Sequence, residues 1–573
     1  MGTAGADAGA TQLIDEGNEE QSGSIDVEVR EEGTDAFQST STLDVGSGVD
    51  PVRREQDRVV YPGEGTHESP FLVDYEPGDP ENPYNWSKAK KWPLTFVLAA
   101  GTLCVSFASS SYSGGISFVM EDLHMSREMA VLGISLYVIG FGLGPLVFAP
   151  LSEMYGRKLI FVITYTPFTL LHMGGALAKN KETLLICRLL AGIMGSSPLT
   201  NAGGTISDMW IPRERGVAVA LYSTAPFLGP VIGPIVGGFT SEDQKLGWRF
   251  NFWIMMIFSG VVLVIHSLFM PETYGPVLLR RRARRLRRQA EGKTIYVSKF
   301  DLTRKQSLLH SLSINLRRPF VFLIYEPIVL LLALYISVAY AILYALFAAF
   351  PIVFEEHRHF SPGESGLAFL GIGLGMCCGA ALSPIQNRLY WRVMDRSPTG
   401  RAPPEARLYT SIIGAALLPV GLFWFAWTSF PSISYFAPIF AGVPFGTAIS
   451  TILQSLTAYL MDSYTIYSAS AIAATVILRS VFACAFPLFS PFMFAALGDQ
   501  WAMSVFAFLS LLCMPIPFLF FKYGKLIRMK SHFAIKDEPL PDEWMLKSPN
   551  ISIRDPKSNE ADKLEEKDVT RVV

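Results

Sequence analysis

Charged residues are scarce in this chain, at 17% of 573 residues, whereas hydrophobic residues make up 50%. This balance excludes a disordered chain, a collagen-like repeat and a small disulfide-linked domain, and it argues against a purely soluble protein. Cysteine is scarce too. The six cysteines fall within apolar stretches, so we expect neither a disulfide framework nor a metal site. Because no group of His, Cys, Asp or Glu has catalytic spacing, we expect no enzyme and no cofactor.

Apolar runs of about twenty residues recur from Trp92 onward, and each is long enough to cross a ~30 Å hydrocarbon core as a helix. Only helices or closed barrels satisfy the backbone in lipid, and these runs are too long for barrel strands. We therefore predict an all-α membrane protein with 12 transmembrane helices. The predicted spans lie near 93–113, 129–150, 159–178, 185–207, 217–239, 250–270, 328–350, 364–386, 408–428, 433–460, 468–495 and 501–521.

Charge is segregated along the chain and predicts its organisation. Residues 1–50 carry twelve acidic residues against the single basic residue Arg30, and the stretch from Arg280 to Arg288 carries seven arginines. The positive-inside rule then places both termini in the cytosol, with the arginine run near anionic lipid rather than nucleic acid. The predicted segments are a disordered acidic arm (1–91), a six-helix bundle (92–270), a basic loop (271–326), a second six-helix bundle (327–522) and a tail (523–573).

The two predicted bundles share a faint internal repeat at an offset of 231 residues. Gly140-Phe-Gly-Leu-Gly144 matches Gly371-Ile-Gly-Leu-Gly375, and Arg157 matches Arg388. The alternative is that glycine-rich helices simply look alike. Two parallel repeats of six helices resemble the plan of major facilitator transporters, which implies two bundles around a central cavity.

The loop after the second span strengthens this resemblance. It reads Ala149-Pro-Leu-Ser-Glu153-Met-Tyr-Gly156-Arg157-Lys158 and is similar to the motif between helices 2 and 3 of the major facilitator superfamily. This version of the motif resembles that of the fungal drug:proton antiporters with twelve spans. The segment Met270-Pro-Glu-Thr-Tyr274, after span 6, resembles the same group. The resemblance implies a cytosolic gate formed by Glu153, Gly156, Arg157 and Lys158, with Asp208 as a partner for Arg157. The alternative is a solvated loop that only sets topology.

The fifth span carries the fullest match. It reads Gly229-Pro230-Val-Ile-Gly233-Pro234-Ile-Val-Gly237-Gly238 and resembles the antiporter motif of the same superfamily at every fixed position. Glycines four residues apart make a flat helix face for close packing, and prolines bend the helix. Packing alone is the alternative explanation for such a stripe.

Two arginines interrupt the apolar spans. Arg188 lies in Ile186-Cys-Arg-Leu-Leu-Ala-Gly192, which resembles the span-4 motif whose arginine is implicated in proton coupling, and Arg479 lies deep in span 11. A charge inside a span costs at least ~2.5 kcal/mol and usually marks a pathway, although Arg188 could instead snorkel to the interface. We assign proton coupling to Arg188, Asp208 and Arg479. Since no span has an acidic residue near its middle, the cargo is expected to be neutral or anionic.

Aromatic residues in the spans are candidate cargo contacts. The leading prediction is a monomeric, proton-coupled exporter of small apolar compounds in the plasma membrane, whose partners are the cargo, protons and membrane lipid. A polyamine exporter of the same family and an importer of small organic solutes on the same fold are the alternatives. The predicted cavity residues are Tyr112, Tyr222, Phe227, Tyr335, Tyr340, Tyr344 and Tyr459.

Overall fold

A computed structural model describes residues 61–291, 294–301, 308–397 and 402–535. The parts of the predicted arm and tail at 1–60 and 536–573 lie outside the described residues. The described chain is overwhelmingly helical, with one small pair of strands.

The first half contains six long helices. Ser126 and Asn180 begin two of them by accepting hydrogen bonds from backbone N–H groups of the first turn, as good helix-capping residues do. Gly156 lies between the helix that Ser126 begins and the next one, at φ 108°, a conformation that few residues other than glycine adopt. The helices are α1 (Lys88–Ser110), α2 (Arg127–Tyr155), α3 (Arg157–Ala176), α4 (Lys181–Met209), α5 (Pro212–Glu242) and α6 (Gly247–Phe269).

The second half follows two connecting helices, α7 (Gly275–Gln289) and α8 (Leu308–Tyr325). The longest helix of this half contains a break at Gly498, where φ is 74° and ψ is 165°, so it comprises two spans. The helices are α9 (Pro327–Phe350), α10 (Phe369–Arg396), α11 (Tyr409–Thr428), α12 (Phe436–Tyr464), α13 (Ser468–Cys513) and α14 (Pro515–Lys530).

Ten stretches of the described chain are long and apolar enough to cross a membrane. One of them, Ser468–Lys530, is 63 residues long and contains the break at Gly498, so it supplies the last two predicted spans. The 31-residue helix α5 is a further helix of membrane-crossing length. With these two additions, the described helices match the twelve predicted spans.

The prediction of disorder up to residue 91 is wrong for residues 61–87. Strand β1 (Phe71–Val73) pairs in parallel with β2 (Tyr296–Ser298), and Val73 packs against Leu279 and Ala283 of α7. The basic segment 271–326 is likewise not a plain loop, because it contains α7, β2 and α8. Local composition could not reveal this pairing, since each three-residue strand finds its partner more than 200 residues away.

Ion pairs hold the same segment to α7, so part of the arginine run is neutralised within the protein. Asp79 pairs with Arg282, and Glu81 lies 2.6 Å from Arg285. Lys299, just after β2, lies 2.6 Å from Asp74. We call the end of the bundle that carries α7 the loop end, and the opposite end the far end.

Polar contacts join the two halves at the far end and at mid-depth. The far end has an ion pair and a backbone hydrogen bond to a carboxylate, and mid-depth has two hydrogen bonds of serine hydroxyls. The halves are therefore closed against each other at the far end. The contacts are Arg127–Glu356 (2.8 Å), Gly363 N–Glu242 (3.3 Å), Ser109–Tyr344 (3.1 Å) and Ser135–Cys484 O (2.7 Å).

Candidate functional site

Arg188 lies inside the first half, about two turns from the far end of α4. Its side chain is only 2% exposed, so the alternative that it snorkels to the interface is wrong. The guanidinium donates three hydrogen bonds to backbone carbonyls: Nε to Gly133 (3.1 Å), and the terminal nitrogens to Ala108 (2.6 Å) and Ser109 (3.0 Å). It also lies over the rings of Tyr112 and Tyr137, at 4.9 and 4.4 Å from their centroids.

The end of α1 explains why the carbonyls of Ala108 and Ser109 are available, whereas that of Gly133 lies within α2. The α-helix stops at Ser110 and continues as a 3₁₀ turn, and the last carbonyls of a helix lack their usual N–H partners. They also form the negative end of the helix dipole, which favours a cation. Arg188 thus ties α1, α2 and α4 together without any carboxylate.

A second cluster lies at the loop end of the first half. The structure brings Arg157 and Asp208 together, with Nε 3.3 Å from the carboxylate, and Arg157 also donates to Ser152 (2.7 Å). Its backbone N–H donates to Glu272 (2.9 Å), just after α6. The side chain of Glu153 is exposed, and that of Lys158 is half-buried.

Glu272 is a member of this cluster to which the sequence pattern attached no role. Its carboxylate also accepts from the N–H groups of Thr273 and Tyr274, both at 3.0 Å, and it lies against Gly156. A Cβ at Gly156 would lie 2.2 Å from Glu272, so glycine is needed there for space as well as for its φ. The signal available in the sequence was an acidic residue directly after span 6, within Met270-Pro-Glu-Thr-Tyr274.

The glycines of α5 lie against two different neighbours. A Cβ at Gly229 would lie about 2 Å from the Ser106 hydroxyl of α1, and one at Gly233 about 2 Å from the Ser110 hydroxyl. A Cβ at Gly237 would lie equally close to the carbonyl oxygen of Ser111, just after α1. Gly238 instead faces the second half, where an added Cβ would lie 2.3 Å from the carbonyl oxygen of Pro362. Pro230 and Pro234 lie inside the helix between these contacts. The motif therefore packs α5 onto α1 and, at the far end, onto the other half.

The predicted cavity residues do not form one group. Tyr112 stacks on Arg188, and the Tyr344 hydroxyl bonds to Ser109 across the halves. Three others are placed elsewhere: Tyr222 donates to the Leu199 carbonyl (3.0 Å), Phe227 is half-buried, and Tyr335 is fully buried in the core of the second half. Tyr459 is also fully buried, and it lies near the loop end, beside Gly524 and Phe520.

Arg479 and Tyr340 meet at mid-depth. The guanidinium lies 4.5 Å from the centroid of the Tyr340 ring, and the Tyr340 hydroxyl is 3.5 Å from that of Tyr344. Tyr344 in turn reaches Ser109, whose carbonyl accepts from Arg188. A chain of aromatic and hydroxyl contacts thus links the two interior arginines across the junction of the halves.

A helical membrane protein with two six-helix halves, prolines and glycines at their junction and charge confined to a few sites is built like a solute transporter. Residues 98–487 match the family model of the Major Facilitator Superfamily. The chain therefore belongs to the Major Facilitator Superfamily, as its motifs predicted.

Named relatives fall in the same family. The chain is 48% identical over 475 residues to the MFS-type efflux pump MFS2 of Trichophyton rubrum, covering 83% of this chain and 79% of that protein. It is 46% identical over 479 residues to the major facilitator superfamily multidrug transporter mdrA of Aspergillus fumigatus, covering 83% and 78%. The solved structure of the proton:xylose symporter XylE is similar in fold alone, with a TM-score of 0.55 and 15% identity over 76% of this chain and 96% of that one.

Proposed function

We propose that this transporter exports small apolar compounds across the plasma membrane by alternating access, driven by inward proton movement. Export is supported by relatives at 46–48% identity that are named as an efflux pump and a multidrug transporter. The observation that carries the proposal is the packing of α5, which contacts α1 through three glycines and the second half through Gly238. A bendable helix that touches both halves suits a rocking movement.

The charge distribution supports apolar cargo. Acidic residues of the described spanning helices lie within the first or last few residues of each helix or beside the break at Gly498. A polycation crossing the middle of the bundle would find no carboxylate there, so a polyamine is disfavoured. The buried tyrosines and phenylalanines of the interior favour apolar and aromatic compounds instead.

Asp208 is the proposed proton-exchanging group. It is the one carboxylate among the three residues assigned to coupling, and its partner Arg157 stabilises the charged form. Protonation of Asp208 would release Arg157 and loosen the cluster at the loop end, where the halves must part and close. Arg188 serves this movement by holding the end of α1 in place, without carrying a proton.

The test is export of the neutral dye Nile red from yeast cells that lack their own exporters. We expect the wild type to lower cellular dye, a protonophore to abolish export, and Asp208→Asn to reduce it at least about tenfold. Asp395→Asn, at the exposed loop end of α10, is the matched control and should export normally. Export that ignores an imposed proton gradient but stops on ATP depletion would refute proton coupling.

A further inference from the structure

Arg479 stands out because its charge has no polar partner in the described part of the chain. It lies near the middle of the first span of α13 and makes no hydrogen bond or ion pair with any described residue. Its guanidinium lies over the ring of Tyr340. Its Nε is sealed from solvent without an acceptor, while the side chain as a whole is half-buried. A guanidinium carries five N–H donors, so most of its hydrogen-bonding capacity is unused.

The backbone around Arg479 cannot supply what it supplies to Arg188. Both α9 and the first span of α13 are continuous at this depth, so they offer no carbonyls freed at a helix end, whereas α1 offers two to Arg188. Of the spanning helices packed against α13, α9 and α11 contain no acidic residue. The acidic residues of α2, α12 and α13 itself lie near helix ends or at the break. The described residues therefore provide Arg479 with no counter-charge.

The position of Arg479 is that of a cargo contact rather than of a packing residue. The neighbouring Ser480 lies against Gly142 of α2, so this turn of α13 faces the other half. Tyr340 presents its ring beside the guanidinium. The ring of Tyr344 lies 5.0 Å from that of Tyr340, between centroids, and its hydroxyl reaches Ser109 of α1. A charged donor and an aromatic surface thus meet at the junction of the halves.

We propose that Arg479 binds the carboxylate of an organic acid, whose apolar body packs against Tyr340. The planar guanidinium matches the two oxygens of a carboxylate, and such charge-assisted hydrogen bonds are strong in a partly dehydrated site. This inference rests on the proposed export function and names apolar monoacids as a class of cargo that is recognised through Arg479. Arg188 takes no part in this recognition, because its donors are already engaged by three carbonyls.

The test compares one cargo in two forms, 1-pyrenebutyric acid and its methyl ester, with full-length protein in liposomes under an imposed proton gradient. We expect the wild type to transport the acid, and Arg479→Gln to lower acid transport at least about tenfold while changing ester transport less than about twofold. Arg479→Lys keeps the charge without the planar guanidinium, so its rate of acid transport should lie between those of the wild type and Arg479→Gln. Arg392→Gln removes an exposed arginine at the loop end of α10 and should behave as the wild type.

Binding of the acid to the purified protein, followed by pyrene fluorescence, gives a readout that does not depend on coupling. We expect the dissociation constant of the acid to rise at least about tenfold in Arg479→Gln and that of the ester to stay unchanged. Equal losses for acid and ester would show a structural role and overturn the proposal. The proposal would also be overturned if transport of the ester required chloride in the wild type and lost this requirement in Arg479→Gln, because the site would then hold an inorganic anion. If the wild type transports the ester but not the acid, this inference is overturned and the export function stays intact. If the wild type binds the acid but transports neither compound, the export function alone is refuted.

Discussion

Arg188 and Arg479 are both arginines in the interior of the bundle and both lie over tyrosine rings, yet their polar surroundings differ. Arg188 is 2% exposed, donates to three carbonyls and lies between two tyrosine rings. Arg479 is half-buried and has one ring beside it. The difference comes from the backbone, because α1 ends beside Arg188 whereas the helices beside Arg479 continue. A satisfied interior charge stabilises the fold, and an unsatisfied one is available to a ligand.

Replacing Arg188 should have the largest effect. Arg188→Met leaves the carbonyls of Ala108 and Ser109 without donors, so we expect export to fall at least tenfold and the free energy of unfolding to fall by about 3 kcal/mol or more. Arg479→Gln should leave thermal stability unchanged. The measurement is the melting temperature of purified protein in detergent, with membrane insertion checked in parallel. Equal destabilisation by both substitutions would remove the distinction between the two arginines.

A smaller effect is expected from Gly233→Ala, which acts on the Arg188 site indirectly, through the end of α1. The new methyl group would lie 2.0 Å from the Ser110 hydroxyl and displace the end of α1, whose carbonyls hold Arg188. We expect a loss of stability of about 1–3 kcal/mol and weaker export. Gly203→Ala on α4 is the matched control, since nothing lies within 4 Å of its Cβ position and alanine favours a helix. Stability lost equally in both variants would contradict the packing argument.

The smallest effect on stability is expected from breaking the ion pair of Asp79 with Arg282, which lies outside the spanning helices. Burial alone would raise the pKa of Asp79, but hydrogen bonds from Arg282 and from the backbone N–H of Glu81 outweigh it and hold that pKa below its ordinary value. Asp79 therefore stabilises the folded state above about pH 4, and this contribution is lost as the pH falls through its folded pKa.

We accordingly expect Asp79→Asn to lower the melting temperature by about 1 °C at pH 7, with the difference shrinking below about pH 4. Melting curves of the two proteins across this pH range provide the measurement. A difference that grows as the pH falls would have the wrong sign for a carboxylate with a lowered pKa.

Much of the fold was predictable because lipid imposes length and hydropathy on each spanning helix. The family and the two-half plan are confirmed, and the described helices match the twelve spans. The short strands β1 and β2 were missed because three residues carry too little periodicity. The proximity of Arg157 and Asp208 was expected from a family motif, whereas Glu272 enters the same cluster through a turn that no local pattern announces.

The candidate site was less predictable than the fold. Seven aromatic residues were proposed for one cavity, but Tyr459 lies near the loop end and Tyr335 is buried in the core of the second half. Helical periodicity shows that a residue shares a face with its neighbours three and four positions away. It does not show whether that face meets the other half, its own half or lipid, because that depends on how the helices are arranged.

The amino-acid sequence by itself determined that this chain spans a membrane in two related halves, since apolar length and charge distribution are local properties of the chain. It also determined that only two arginines, Arg188 and Arg479, lie inside the predicted spans. Only the tertiary structure decided that Arg188 is tied to the end of α1 and that Arg479 is without a counter-charge among the described residues. The physical reason is that a buried charge is satisfied by whichever donors and acceptors the fold brings near it, and those groups come from distant parts of the chain.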